Sequence, residues 1–220
     1  NYRIALDGPS GAGKSTIAKR LSAELGFVYV DTGAMYRSIG LYCLQNNIDT
    51  ADEAAVTAAL PQIDIALKYV DGEQRVILNG TDVSKEIRIN EVSMAASKVS
   101  AYKAVRAFLL DTQRNMAKTQ SVIMDGRDIG TVVLPDADVK IFLTASPEAR
   151  AERRYKELTE KGQKVEYDVI LKEIKERDYQ DMNREIAPLK QADDAVLVDT
   201  TELTLPQSIE YMLKVIKERL

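Results

Sequence analysis

The first residues whose types and spacing could do chemistry are Gly8 to Ser15, in the order Gly-Pro-Ser-Gly-Ala-Gly-Lys-Ser. They match the pattern G-x-x-x-x-G-K-[ST], in which glycine amides converge on phosphate oxygens without interference from a Cβ atom. Lys14 can reach the outer phosphates and Ser15 can ligate Mg²⁺, whereas a merely flexible turn would explain only the glycines. We expect a nucleotide phosphate site made by Gly8, Pro9, Ser10, Gly11, Ala12, Gly13, Lys14, Ser15 and Thr16.

The elements around this loop have the order that such a site requires. Residues 2–7 are an apolar strand, and from Lys14 onward apolar residues recur at helical spacing until Gly26 ends the helix. Residues 27–31 form a second strand, so the chain begins with a β-α-β unit. Such units predict a parallel sheet with helices on its faces, and the positive end of the first helix would favour phosphate.

The same alternation returns in the second half of the chain. Buried strands are expected at 122–125, 139–143 and 195–198, with helices between them and a final helix after the last. Residues 60–85 interrupt this pattern, because Asp71-Gly72 and Asn79-Gly80 predict tight antiparallel hairpins. The expected fold is therefore α/β, with a small antiparallel sheet inserted into a parallel one.

The composition excludes several classes of chemistry. The 220 residues include no histidine and a single cysteine, Cys43, which leaves no Ser-His-Asp or Cys-His machinery, no disulfide and no ordinary zinc site. Thirty basic and 34 acidic residues give a net charge of −4, which argues against a nucleic-acid partner. No apolar run is long enough to span a membrane. We expect a cytoplasmic protein whose partners are small molecules.

Two arginines follow predicted parallel strands, where ligands of open α/β sheets bind. Arg37 ends the segment Asp-Thr-Gly-Ala-Met-Tyr-Arg at 31–37, and Arg127 lies in Asp-Gly-Arg-Asp-Ile-Gly at 125–130. Each could be a surface ion-pair partner, which would contribute little. Two arginines on one edge of a sheet favour a second anion site beside the nucleotide.

Two later helices carry unusual charge patterns. In one, the apolar stripe of Ile170 and Ile174 continues into Arg177, Asp181 and Arg184. Because buried charge is costly, this face predicts either an internal ion-pair cluster or, as we prefer, a cleft lined for phosphate and sugar. The preceding helix carries four basic residues, which could be simply solvated or could form a lid over the transferring phosphoryl group: Arg150, Arg153, Arg154 and Lys156.

A phosphate loop alone is compatible with a motor, a switch or a kinase. The base-reading string N-K-x-D of P-loop GTPases is absent, and the chain is short for a motor and lacks a second nucleotide motif. A kinase is favoured, either for a nucleotide or for another small molecule such as shikimate or gluconate. A non-enzymatic nucleotide switch is the alternative from a different class, and it would bind a nucleotide without acceptor-dependent turnover.

Over essentially its whole length the chain resembles the nucleoside monophosphate kinases and, among them, the bacterial cytidylate kinases. The resemblance rests on the hairpin insertion and on five motifs, at 8–16, 31–37, 95–106, 125–133 and 174–184. It implies a P-loop NTPase-type parallel sheet with an inserted NMP-binding subdomain and a short helical lid. The implied bounds are 1–32, 107–149 and 168–220 for the core, 33–106 for the subdomain and 150–167 for the lid.

The resemblance also implies the reaction and the residues that perform it. Mg-ATP would phosphorylate CMP or dCMP, and UMP poorly, by a monomeric enzyme. The acceptor phosphate would be bound by arginines, namely Arg37, Arg127 and Arg184. Cytosine would be read by Ser97, Arg106 and Asp128, and the ribose would meet Asp181 and Arg177. Thr32 keeps the hydroxyl of a position that is often serine in the family, and Asp125 resembles a Walker-B carboxylate.

The implied roles agree with elementary chemistry. The carboxylate of Asp128 can accept from the 4-amino group of cytosine, whereas the oxygen of uracil at that position would be repelled. The acceptor is already an anionic phosphate, so in-line transfer needs no strong general base. Catalysis would come from positioning and from the positive charges of Mg²⁺ and of the predicted catalytic residues Lys14, Arg127, Arg150, Arg153 and Arg177.

Overall fold

The computed structural model describes residues 1–220. Eight strands form two sheets: β1 (Arg3–Asp7), β2 (Val28–Asp31), β3 (Ile65–Val70), β4 (Glu73–Leu78), β5 (Thr81–Asp82), β6 (Val122–Gly126), β7 (Val139–Thr144) and β8 (Val196–Asp199). Eight α-helices connect them: α1 (Lys14–Leu25), α2 (Thr32–Gln45), α3 (Glu53–Ala59), α4 (Asn90–Val99), α5 (Lys103–Thr119), α6 (Pro147–Glu160), α7 (Tyr167–Asn183) and α8 (Leu205–Arg219).

The larger sheet has five strands in the order β2-β6-β1-β7-β8. β1 pairs in parallel with β6, where Leu6 faces Asp125, and with β7, where Leu6 faces Ile141. The first strand of the chain is therefore central, and the loop that follows it leaves the sheet where the strand order reverses, the usual place for a ligand in such folds. The predicted parallel α/β core is confirmed.

Ala5 and Met124 on one face of the sheet and Ile4 and Leu6 on the other are fully buried, which explains why these strands are nearly continuous apolar runs. Strand residues Ile4, Leu6, Ile123 and Leu143 are fully buried, and α1 and α8 cover the sheet with the apolar faces that the sequence predicts. The helical contributions come from Ile17, Ala18, Leu21, Ile209, Met212 and Ile216.

The smaller sheet is antiparallel, in the order β3-β4-β5. Asp71 and Gly72 connect β3 to β4 with φ angles of 53° and 78°, and Asn79 and Gly80 connect β4 to β5 with 48° and 82°. Two consecutive positive φ angles are typical of the two-residue turn that matches the twist of a hairpin. The hairpins predicted within 60–85 are therefore present.

The chain divides into two compact units, one made of Asn1–Val30 and Ala117–Leu220 and the other of Asp31–Met116. Within the first unit, α6 and α7 share a small core around Ala151, Ile170 and Ile174. The finer division into core, subdomain and a lid at 150–167 stays a prediction. No helix has both the length and the apolar character needed to cross a membrane.

In the second unit, α2 and α4 pack very closely. A Cβ atom on Gly40 of α2 would lie 3.0 Å from the Cβ of Ala95 and 3.0 Å from the amide nitrogen of Ala96. A side chain at position 40 would force the helices apart. The glycine thus fixes the spacing of the two helices that carry Arg37 and Ser97.

Candidate functional site

The loop after β1 has the backbone of a phosphate cradle. A Cβ on Gly8 would lie 2.1 Å from the carbonyl oxygen of Leu143, so only glycine can pass β7 here. Gly11 and Gly13 have left-handed φ angles of 72° and 84°, and no side chain caps the first turn of α1. Successive amides in such a loop form a concave site for an anion, to which the helix end adds its partial positive charge.

Lys14 begins α1 and folds back over the loop. Its Nζ donates a hydrogen bond to the carbonyl of Pro9 at 2.9 Å. Burial and the charge of Arg127 together lower the pKa of Lys14 to about 7 from the ordinary 10.5, while Asp125 opposes the effect. The loop therefore lies in a region of concentrated positive charge, which is the electrostatic setting that a polyphosphate requires.

Asp125 lies at the buried end of β6, beside the central strand. The hydroxyl of Tyr29 is 3.3 Å from each carboxylate oxygen of Asp125 and so orients it. The resemblance of Asp125 to a Walker-B carboxylate stays a prediction. Tyr29 was not singled out from the sequence, where it is one aromatic residue in an apolar strand.

The charged face of α7 forms an ion-pair cluster around Asp181. Arg127 Nε donates to Asp181 Oδ2 at 2.6 Å, and Arg184 Nη1 lies 4.0 Å from Oδ1. Burial alone would raise the pKa of Asp181, but the charges of Arg127, Arg177 and Arg184 hold it below its ordinary value. The predicted internal ion-pair cluster is therefore present, and its three guanidinium groups around one carboxylate leave it positively charged; the phosphate- and sugar-lined cleft stays a prediction.

Arg150 is buried and bridges three parts of the first unit. Its guanidinium donates to the carbonyls of Ala145 and Ser10 at 3.0 and 3.1 Å and binds both carboxylate oxygens of Asp178 at 2.9 and 2.5 Å. It thereby links the phosphate loop to α7. Arg153 donates to the carbonyl of Thr200 at 2.6 Å. A catalytic role for either arginine stays a prediction.

Asp7 is a buried carboxylate that the sequence reasoning missed. Its two oxygens accept from the amides of Ile129 and Gly130 at 2.9 and 2.7 Å. These amides begin the π-helical turn Ile129–Val133, which directly follows Asp128. The available signal was an acidic residue closing an apolar strand immediately before Gly8.

The second unit carries the predicted phosphate-binding residue Arg37 on α2. Asp31 caps this helix by accepting from the amide of Ala34 at 3.2 Å, and its Oδ2 lies 3.8 Å from Arg37 Nη1 and 3.6 Å from Arg88 Nη2. Arg37 Nη1 is nevertheless buried without a hydrogen-bond acceptor. A buried N–H donor without an acceptor is costly unless a ligand oxygen accepts its hydrogen bond.

The predicted base-reading residues of the same unit lie on α4 and α5. Arg106 donates to the hydroxyl of Tyr36 at 2.8 Å, and its guanidinium carbon is 5.2 Å from the centre of that ring. Both contacts orient the arginine. Ser97 is half-buried on α4, and Thr32 is buried at the start of α2.

The predicted site residues thus fall into two groups, one in each unit. The first unit contains the phosphate loop with Lys14 and Ser15, together with Arg127, Asp128, Arg150, Arg153, Arg177, Asp181 and Arg184. The second contains Thr32, Arg37, Ser97 and Arg106. In the first group, in addition to burial, the charges of Arg127 and Arg177 lower the pKa of Lys14, and that of Asp181 raises it.

Comparison with known proteins gives consistent results. The family model described as Cytidylate kinase matches residues 4–218. A cytidylate kinase of Caldicellulosiruptor saccharolyticus is 53% identical over 211 residues, 96% of this chain and 93% of that protein. A cytidylate kinase of Thermosipho melanesiensis is 51% identical over 99% of this chain and 97% of its own length. A solved structure of an uncharacterized protein from Eubacterium ventriosum covers all of both chains with a TM-score of 0.56 at 12% identity, a likeness of fold alone.

Proposed function

The chain belongs to the cytidylate kinase family, and from this premise we propose that it transfers the γ-phosphoryl group of ATP to CMP or dCMP, giving ADP and CDP or dCDP. It is a nucleoside monophosphate kinase, and ATP is its phosphoryl donor. The observation that supports the assignment to particular residues is that the first unit holds both the phosphate loop with Lys14 and the Arg127–Asp181 cluster, whose charges act on that lysine. One anion site therefore adjoins a second, as a transfer between two phosphates requires.

The donor would be held by the loop from Gly8 to Thr16. Backbone amides that have no acceptor within the helix would bind the β-phosphate. Lys14 would exchange its hydrogen bond to the carbonyl of Pro9 for contacts with phosphate oxygens. The phosphates would favour the charged form of the lysine, because their negative charge offsets the neighbouring guanidinium groups. The loop from Gly8 to Thr16 would thus bind and orient the triphosphate.

A magnesium ion fits the donor set found here. Ser15 is exposed in the first turn of α1 and offers a hydroxyl oxygen, a ligand type that Mg²⁺ accepts. No group of three or more acidic or cysteine side chains could hold a metal by itself, which suits an ion bound largely through phosphate and water. When bound, Mg²⁺ would neutralise charge on the phosphates.

The acceptor would be bound through its charge and its base. Arg127 and Arg184 in the first unit, and Arg37 in the second, would bind the phosphate of CMP. Arg177 and Asp181 would meet the ribose, and Thr32 would contribute a hydroxyl. Asp128, with Ser97 and Arg106, would distinguish cytosine from uracil through the 4-amino group. Small-molecule partners alone, a monomer and a cytoplasmic location remain predictions from the sequence.

The chemical step would rely on positioning and charge rather than on a general base. The acceptor phosphate arrives as an anion, and Lys14, Arg127 and Arg177 would stabilise the charge that spreads over the equatorial oxygens during in-line transfer. Arg150 and Arg153, if they leave their present partners on closure of the lid, would add to this stabilisation.

Phosphorus-31 NMR of the reaction mixture tests the proposal. Mg-ATP incubated with the protein and CMP should lose its γ resonance while CDP and ADP resonances grow in equal amounts. The mixture without CMP should stay unchanged. Loss of ATP at the same rate in both mixtures, with inorganic phosphate as the product, would contradict the transfer.

A further inference from the structure

Asp7 is buried at the end of the central strand, where an apolar residue would be the ordinary choice. Taking a carboxylate out of water is costly unless hydrogen bonds compensate. Here Oδ1 accepts from Ile129 and Oδ2 from Gly130, at 2.9 and 2.7 Å. One side chain thus binds two successive amides that lie 122 and 123 positions away in the chain.

The segment held by Asp7 has an uncommon backbone. It is a π-helical turn, Ile129–Val133, in which the carbonyl of Asp128 accepts from the amides of Val132 and Val133 at 2.9 and 3.1 Å. The first amides of a helical turn have no acceptor within it, and Asp7 supplies one for two of them. π-helical turns are rare and frequently occur at functional sites.

The same turn is held from a second direction. A Cβ on Gly130 would lie 3.3 Å from Asp7 Oδ2 and 3.2 Å from the Cδ of Lys140, so the glycine permits both contacts. The Nζ of Lys140 donates to the carbonyl of Pro135 at 2.5 Å and to Asp194 Oδ1 at 2.8 Å. The turn is therefore fixed at its start by Asp7 and beyond its end by Lys140.

We propose that Asp7 is a positioning residue for acceptor selection, which acts by fixing the turn that carries Asp128. The inference rests on the proposed function, in which Asp128 reads cytosine. Asp128 precedes Ile129 by one peptide bond, so a shift of the held amides moves its carboxylate. Distances to a base edge must hold within a few tenths of an ångström for a hydrogen bond to form. The Asp7 carboxylate itself need not touch either substrate.

Asp7→Asn tests the proposal with minimal change of shape. The amide group keeps one acceptor oxygen but turns its NH₂ toward the second backbone amide, so one of the two bonds is lost. We expect the ratio of kcat/KM for CMP to that for UMP to fall by about tenfold or more, through a higher KM for CMP, since one base contact accounts for that much discrimination. The KM for ATP should stay within about twofold.

A second variant keeps the test valid if Asp7→Asn does not fold. Gly130→Ala leaves the carboxylate intact but places a methyl group against it, and the same loss of selectivity is expected. Ile141→Val is the control for a general loss of stability, because it removes a core methylene from β7 without touching the turn. It should leave the selectivity ratio unchanged.

The outcomes separate this inference from the proposed function. A wild-type protein that does not phosphorylate CMP would refute the proposed function. A wild-type protein that does, alongside a folded Asp7→Asn or Gly130→Ala variant with an unchanged CMP-to-UMP ratio, would overturn the positioning role alone. A variant in which only the KM for ATP rises would equally overturn it, because the carboxylate would then act on the phosphate loop.

Discussion

At the scale of single residues, the buried aspartates divide between those proposed to contact a substrate and those that hold parts of the protein in place. Asp128 and Asp181 are proposed to contact the base and the ribose, whereas Asp7 binds two backbone amides and Asp178 binds the guanidinium group of Arg150. All four are aspartates, so residue type alone does not separate the two groups. The two groups are separated by their binding partners, which lie far away along the chain.

The carboxylate of Asp128 gives the first prediction at this scale. Asp128→Ala should lower the preference for CMP over UMP by about tenfold to a hundredfold, because a lost base contact accounts for roughly 1–3 kcal/mol of discrimination. Steady-state kinetics with both acceptors measure the ratio. Asp136→Ala, at a largely exposed aspartate after the same turn, should not change it. An unaltered ratio in Asp128→Ala would refute the role in base reading.

Lys14 gives the second prediction at the scale of single residues. Lys14→Ala should reduce kcat by at least about a hundredfold, since the ammonium group stabilises charge that develops during transfer. Its Nζ makes one hydrogen bond to a carbonyl, so the midpoint of thermal unfolding should change little. Lys19→Ala, at an exposed position of the same helix, is the matched control. Full turnover in Lys14→Ala would be incompatible with the account.

Asp7 gives a prediction about pH. Burial raises the pKa of Asp7 to about 6 from 3.8, against the hydrogen bonds from Gly130 and Ile129; Asp128 adds to the rise and Lys14 opposes it. The folded state therefore binds the proton more tightly than the unfolded state, and the carboxylate costs stability as the pH rises from about 4 to about 6. Across that interval the wild-type protein should lose roughly 3 kcal/mol relative to Asp7→Asn.

Urea unfolding of both proteins at several pH values measures this difference. The variant is needed as the reference because other carboxylates, such as Asp181 with its lowered pKa, contribute the opposite slope. A difference in stability that is constant between pH 4 and 7 would mean that Asp7 titrates normally.

At the scale of elements, the structure depends on contacts that join helices to the phosphate loop. Arg150 on α6 binds Asp178 on α7 and the carbonyl of Ser10. Because removing one partner of a buried pair leaves the other uncompensated, Arg150→Ala should lower the free energy of unfolding by about 3–5 kcal/mol. Urea titration measures it. Arg154→Ala, whose pair with Glu157 is exposed, should cost less than about 1 kcal/mol.

A loss of stability no larger in Arg150→Ala than in Arg154→Ala would show that the buried pair does not brace the loop. The catalytic role predicted for Arg150 is tested separately. If it contacts ATP during turnover, Arg150→Lys should lower kcat even where the variant remains folded at the assay temperature, since lysine lacks the fork of the guanidinium group.

Much of the element order could be predicted from the sequence because its signals are local. The phosphate loop, the β-α-β unit and the hairpin turns at Asp71-Gly72 and Asn79-Gly80 each depend on residues within a few positions of one another. By contrast, the hydrogen bonds from Gly130 to Asp7 and from Arg150 to the carbonyl of Ser10 join residues more than 100 positions apart. A single sequence contains no pattern for such pairs, since they arise only when the sheet brings strand ends together.

At the scale of the whole molecule, the residues proposed to bind the donor and the acceptor are distributed over the two compact units. The first unit holds the phosphate loop and the Asp181 cluster, and the second carries Arg37 and Arg106. Neither set alone contains all the residues that the proposed reaction uses. Turnover should depend on the acceptor, because the proposed reaction transfers the γ-phosphoryl group to it.

One measurement tests this central claim most directly. Initial rates of ADP release from Mg-ATP are measured in parallel with CMP, dCMP, UMP, AMP or GMP as the acceptor, and without an acceptor. We expect kcat/KM to be highest for CMP and dCMP, distinctly lower for UMP and near the blank for the purine nucleotides. Rates equal to the acceptor-free blank for every nucleotide, or a preference for a purine, would contradict the account.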